Sequence, residues 1–213
     1  MIRINNVTKI YTTGESSVKA LDNISLSAAP GEFVVVKGPS GCGKTTLLLT
    51  AGGLLHPEEG QIIINDQNIY EFTPENTAKF RAANIGFVFQ QYHLIPYLSI
   101  IENVSIASLA HDSEIPEERA QKLIEELGLM ERMHHTPAEL SAGEKQRTAL
   151  ARALLYKPNI ILADEITGNL DHKNASIVLK KLKEFTKSGG TVLLVTHDEK
   201  AKPYADRIVE MEN

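Results

Sequence analysis

Phe33-Val-Val-Val-Lys-Gly-Pro-Ser-Gly-Cys-Gly-Lys-Thr-Thr-Leu-Leu-Leu-Thr-Ala51 is the stretch that decides how this chain folds. Its opening β-branched run reads as a strand buried on both faces. That strand passes directly into a glycine-rich turn, and then into an apolar helix expected to run to about Leu55, where Pro57 stops it. Gly38-x4-Gly43-Lys44-Thr45 fits a phosphate-binding loop, and a strand before with a helix after is the context that pattern requires. Polyphosphate needs many donors on a small surface. Gly38, Gly41 and Gly43 let backbone N–H groups converge, with Pro39, Ser40 and Cys42 between them, and the helix N-terminus adds its partial positive charge. Lys44 is expected to reach the β- and γ-phosphates, the Thr45 hydroxyl to ligate Mg²⁺, and Thr46 to end the nucleotide-binding set. The blander reading, a glycine-rich strand-to-helix turn, is set aside on that context, and Cys42 is read as a spacer rather than a redox group.

Such a loop needs a carboxylate for its metal. Ile160-Ile-Leu-Ala-Asp164-Glu165 delivers two acids at the end of an apolar strand. Asp164 is expected to hold Mg²⁺ through water, and Glu165 to orient and polarise the attacking water. Solvated loop charges are the alternative, disfavoured beside a phosphate loop.

Working outward, Ile2 and Ile4 alternate with polar residues, as do Ile24 and Leu26, which suits a half-exposed antiparallel sheet. Ile62–Ile64, Ile85–Phe89, Ile160–Ala163 and Thr191–Thr196 are continuous apolar runs of the kind found in a parallel sheet. One helix begins near Pro116 with an apolar stripe of Ala120, Leu123, Ile124 and Leu127, ending at Gly128. Another places Ala175, Val178, Leu179, Leu182 and Phe185 on one face. The fold class expected is α/β: a P-loop core with a parallel sheet, an N-terminal antiparallel β subdomain and an inserted α-helical subdomain. A single domain of residues 1–213 is expected, with 1–96 and 136–213 forming the core and 97–135 the helical insertion.

The 213 residues suffice for a substantial core, and the formal net charge of -5 offers no basic surface for nucleic acid. Met1-Ile-Arg-Ile begins as a strand and not as a signal peptide. No apolar run reaches the roughly 20 residues of a spanning helix. The single Cys42 excludes an internal disulfide, so a cytoplasmic location is expected.

Leu140-Ser-Ala-Gly-Glu-Lys-Gln-Arg147 extends the picture. With the phosphate loop and the Asp164-Glu165 pair, it makes the whole chain resemble the nucleotide-binding subunits of ATP-binding-cassette (ABC) transporters, whose core is RecA-like. The resemblance implies that Tyr11 stacks on adenine with Val18 beside the base. It implies that Gln90 senses Mg²⁺ and the attacking water, that Thr167-Gly-Asn-Leu-Asp171 is the D-loop, and that His197 is the switch histidine contacting the γ-phosphate. Ser141, Gly143 and Glu144 would close over ATP held by a second subunit, with Asp171 coupling the two sites. Phe87-Val-Phe-Gln-Gln-Tyr-His-Leu-Ile-Pro96 and the D-loop are similar to those of macrolide exporters, lipoprotein-release systems, bacitracin-type peptide exporters and the cell-division ATPase. The implied function is ATP hydrolysis by a homodimer that drives a separate transmembrane subunit, for export or extraction from the membrane. The implied location is the inner face of the cytoplasmic membrane. The alternative is a regulatory cassette controlling a division or cell-wall machine without transporting a solute. A soluble ABC ATPase of DNA repair or ribosomes is disfavoured, because such proteins carry paired cassettes, coiled coils or basic insertions.

Three departures from the family pattern matter. Ala142 adds a methyl group where the usual signature has glycine. Glu144 replaces a neutral glutamine, and Ser141-x-x-Glu144 reads as a capping box whose charge partly offsets the helix dipole. Weaker ATP-driven dimerisation is therefore expected. Ile166 replaces proline after Glu165, which is expected to loosen the D-loop. His134-His135 is read as a surface loop, lacking a zinc-like ligand set. Glu114, Glu117 and Glu118 are read as the acidic first turn of a helix. Tyr92, Leu94, Ile95, Pro96 and Tyr97 either pack on the helical insertion or form a groove for a membrane partner.

Overall fold

The polar–apolar alternation at the N-terminus builds β1 (Ile2–Thr13), which pairs antiparallel with β2 (Ser16–Ala28). The computed structural model describes residues 1–14, 16–111 and 116–211. Next come β3 (Phe33–Lys37), α1 (Lys44–Ala51), β4 (Glu59–Ile64), the short β5 (Gln67–Asn68) and α2 (Pro74–Asn84). β6 (Ile85–Val88) leads into α3 (Ile100–Ser105), α4 (Glu117–Glu126) and α5 (Ala142–Leu154), with short 3₁₀ turns between them. β7 (Ile160–Asp164), α6 (His172–Lys187), β8 (Thr191–Val195), a 3₁₀ segment (Glu199–Tyr204) and β9 (Arg207–Glu210) complete the described chain.

The strands form two sheets: an antiparallel one in the order β2-β1-β4-β5, and a parallel one in the order β6-β7-β8-β3-β9. Period-two alternation sends the residues of β3 to opposite faces. Phe33 and Val35 join one core with α3 to α6, while Val34 and Val36 join another with α1 and the antiparallel sheet. α1 is thereby packed between the two sheets, and its N-terminus emerges at the carboxyl ends of the parallel strands. Such strand ends are where open α/β sheets bind ligands.

The expected α/β class is the one observed, with four differences in detail. α1 stops at Ala51, short of Leu55, because Gly52 caps it and Gly53 turns the chain at φ 70 before Pro57 is reached. Ile62–Ile64 belongs to the antiparallel sheet, where Ile62 and Ile64 are buried and Ile63 is only half-buried; a three-residue run is too short to reveal that alternation. β6 ends at Val88, since the Phe89 carbonyl accepts the Tyr92 N–H in a turn. α2 and β9 have no counterpart among the expected elements: α2 buries no residue, and β9 is four residues long. Glu117 and Glu118 do form the first turn of α4, whereas Glu114 lies outside the described residues.

Candidate nucleotide site

Strand β3 ends against a turn that its neighbours constrain closely. Gly43 has φ 91, and a Cβ placed there would stand 2.0 Å from the Ala20 carbonyl oxygen, so this position requires glycine. Beyond it, Lys44 opens α1 and is itself buried. Its Nζ donates to the carbonyls of Gly38 (2.9 Å) and Pro39 (2.7 Å), folding the ammonium into the loop. The Thr45 hydroxyl donates to the Asp164 carboxylate at 2.8 Å, joining the start of α1 to the end of β7.

Burial pushes the Asp164 carboxyl above the usual range. The hydrogen bond from Thr45 opposes this, the neighbouring charge of Glu165 adds to it, and Lys44 opposes it. Glu165 takes the left-handed conformation at φ 48, strained for a residue with a side chain. The carboxylate is held in return: Thr196 Oγ1 donates to it at 2.9 Å, the His197 backbone N–H at 3.2 Å, and His197 Nδ1 lies 2.8 Å away. The Glu165 side chain is 14% exposed and that of His197 72%, so the acid faces inward while the imidazole stands open to a ligand.

These groups line one cleft of about 700 Å³. Gly38, Pro39, Ser40, Gly41, Gly43, Lys44, Thr45, Thr46, Gln90, Asp164, Glu165 and His197 all contribute to its wall, together with Ala20. Cys42 does not: it is buried beneath the loop. Tyr11 and Val18 face each other across the β1–β2 hairpin, 42% and 63% exposed, on the strands that bring Ala20 to the cleft rather than in its lining. Thr196 is a positioning group not singled out from the sequence; its place between the β8 run and His197 is the only sequence signal for it.

Ser141, Gly143, Glu144 and Asp171 do not line this cleft and gather instead where α5 and α6 begin. Ser141 caps α5 in a complete capping box: its oxygen accepts the Glu144 N–H at 3.3 Å, and Glu144 accepts the Ser141 N–H at 2.8 Å. The Ser141 hydroxyl donates to the same carboxylate at 2.7 Å, and Arg132 lies 3.8 Å from its other oxygen. These hydrogen bonds from Ser141 hold the Glu144 carboxyl below the usual range despite some burial, with Arg132 and Arg147 contributing. Asp171 caps α6 by accepting from Asn174 N at 2.8 Å, and Arg147 donates to the Asn174 side chain. Asn174 thus bridges the two helix starts, a role with no sequence signature. Ile166 is buried, in the same core cluster as Leu170.

A cation at Asp164 is chemically reasonable. A hydroxyl and a carboxylate 2.8 Å apart are hard oxygen donors of the type Mg²⁺ takes when phosphates and water complete its shell. A cation would also reverse the penalty that burial places on the ionised Asp164.

A family model described as ABC transporter matches residues 21–168. The macrolide export ATP-binding/permease protein MacB of Hyphomonas neptunium is 42% identical over 99% of this chain and 33% of its own length. The probable syringafactin export ATP-binding/permease protein SyfD of Pseudomonas syringae is 41% identical over 99% of this chain and 33% of its own length. An uncharacterized ABC transporter ATP-binding protein of Methanocaldococcus jannaschii, MJ1508, is 42% identical, and the match covers 99% of this chain and 95% of that protein. The chain thus spans 33% of the length of the two export relatives. Among solved structures, the dimeric bacterial ABC transporter cassette MJ0796 superposes with a TM-score of 0.93 at 38% identity, covering 100% of this chain and 94% of that one. The same cassette in a dimeric post-hydrolysis state bound to ADP and Pi also has a TM-score of 0.93, covering 99% of this chain and 94% of that one at 38% identity.

Proposed function

The chain belongs to the ABC transporter family, and from that premise we propose that it binds and hydrolyses ATP as one half of a homodimer driving a separate transmembrane partner. The observation that carries this reading is the convergence of Lys44, Thr45, Gln90, Asp164, Glu165 and His197 on one cleft. Phosphoryl transfer asks a protein mainly for positioning and charge stabilisation. The loop N–H groups and Lys44 receive the phosphates once the ammonium leaves the Gly38 and Pro39 carbonyls. Thr45 and Asp164, with Gln90 beside them, would hold Mg²⁺, which would supply positive charge against the phosphates. Glu165, aimed by Thr196 and His197, accepts a hydrogen bond from the attacking water, and the exposed face of His197 contacts the γ-phosphate. Tyr11 and Val18 receive the base, and Ser141 and Gly143 of the second copy cover the γ-phosphate.

Export or extraction from the membrane is the coupled process this reading favours, supported by the names of the MacB and SyfD relatives. Among the described residues no helix is long and apolar enough to cross a membrane, so the reading places the spanning part on a partner and the chain at the inner membrane face. Residues 97–135 are taken as the helical lobe that faces this partner. Tyr92 and Leu94 pack on the helical core while Tyr97 is 78% exposed, which makes Tyr97 the contact residue of choice.

Steady-state hydrolysis of ATP with Mg²⁺ tests the assignment. Glu165→Gln is expected to lower kcat by about 100-fold or more while ATP still binds. Hydrolysis at the wild-type rate would remove Glu165 from its role.

A further inference from the structure

Arg152, near the end of α5, is a half-buried cation with an unusual set of partners. Its Nη1 donates to the His93 carbonyl at 2.6 Å and its Nη2 to the Tyr92 carbonyl at 2.7 Å. Burial alone lowers its pKa, and no acid raises it back. A guanidinium partly withdrawn from water and satisfied by backbone oxygens carries a desolvation cost that those oxygens repay only if they need it. Here they do: Tyr92 at φ 59 and His93 at φ 48 are consecutive left-handed residues, a conformation unfavourable for side chains of that size. The turn lies just after Gln90. On its other side, Gln146 of the same helix donates to the Phe89 carbonyl at 3.5 Å, and the His93 and Phe89 rings pack in a T shape with centroids 5.1 Å apart. Gln90 is therefore carried in a loop that α5 grips before and after it. The opposite end of α5, about 16 Å away at 1.5 Å per residue, begins at Ser141.

We propose that Arg152 is a positioning residue for Gln90: its planar fork clamps the Tyr92–His93 turn, fixing where Gln90 enters the cleft and tying that loop to the helix that begins at Ser141. The inference rests on the reading of the cleft given above and deepens it. A lysine carries a single nitrogen and does not reproduce the fork, so Arg152→Lys is a partial replacement. Removing the clamp frees the turn to leave its strained conformation, and Gln90 then meets the metal-bound nucleotide in a smaller fraction of molecules. Nucleotide affinity, set by the phosphate loop, stays as it was.

The test is a double-mutant cycle in the full chain, measuring kcat, KM and ATP affinity for Gln90→Ala, Arg152→Met, Arg152→Lys and the Gln90→Ala/Arg152→Met pair. Arg152→Met is expected to lower kcat about five- to tenfold with ATP affinity within about twofold of wild type, and Arg152→Lys to fall between. The double variant is expected to be no slower than Gln90→Ala alone, because the clamp acts through Gln90. If Gln90→Ala is impaired but the double variant shows the product of the two losses, Arg152 serves only folding and this proposal falls, leaving the reading of the cleft intact. If Gln90→Ala hydrolyses ATP at the wild-type rate, the reading of the cleft falls and the proposal with it. Should Arg152→Met fail to fold, the same cycle with Arg152→Lys decides between these outcomes.

Discussion

Asp164 and Glu165 are adjacent acids held in opposite ways, and the difference fixes what each can do. Asp164 is half-buried beside a single hydroxyl donor, and its raised pKa means that the folded protein binds its proton more tightly than the unfolded chain. By linkage, ionised Asp164 costs stability as pH rises above about 4, the ordinary aspartate pKa. Asp164→Asn is accordingly expected to raise the melting temperature of the nucleotide-free protein at pH 7 while lowering Mg²⁺-dependent hydrolysis by about 100-fold. The gain in melting temperature should vanish below about pH 4, where both states protonate the acid. Unchanged melting at neutral pH would show that Asp164 is not under strain. Glu144 has the reverse character: the Ser141 hydroxyl donates to it at 2.7 Å, and its carboxyl is held below the usual range. Glu144→Gln should strengthen ATP-dependent dimerisation by about two- to fivefold, the range for one charge at a helix N-terminus, as read by sedimentation against protein concentration. At this scale the sequence carried the loop, the two acids and Ser141 through spacing. It did not carry the Asn174 bridge to Arg147, 27 residues away, or the Arg152 contacts to His93 and Tyr92, 59 and 60 residues away, which leave no local pattern.

Elements place these residues by ending where they do. β3 delivers the loop, β7 the acids, β8 Thr196 and His197, and β6 Gln90, all at the carboxyl ends of the parallel strands. The start of α1 is the tightest of these junctions, since Gly43 stands against the β2 backbone at Ala20. Gly43→Ala combines positive φ with a steric clash and is expected to cost about 1–3 kcal/mol of stability, measured by urea unfolding, and to abolish ATP binding. Retained binding with full stability would mean that the loop relaxes away from β2. The strands of the parallel sheet were readable because burial on both faces leaves a continuous apolar run. β4 misled for the same reason: three isoleucines in a row look buried on both sides whichever sheet they join. α2 could not be read, because a helix that buries no residue has no apolar stripe to betray it.

For the whole molecule, two groups of residues are arranged at separate places on the surface. The cleft holds the groups that bind and attack a phosphate, while Ser141, Gly143 and Asp171 sit apart from it at the starts of α5 and α6. One chain does not bring them together, and the similar cassette MJ0796 is dimeric. The central claim is that ATP brings one copy's signature onto the other's cleft. Light scattering on the Glu165→Gln protein, with and without ATP and Mg²⁺, tests it most directly. The account predicts a particle of 23.4 kDa without nucleotide and of twice that mass with it. A protein that remains at the monomer mass at saturating ATP would contradict it.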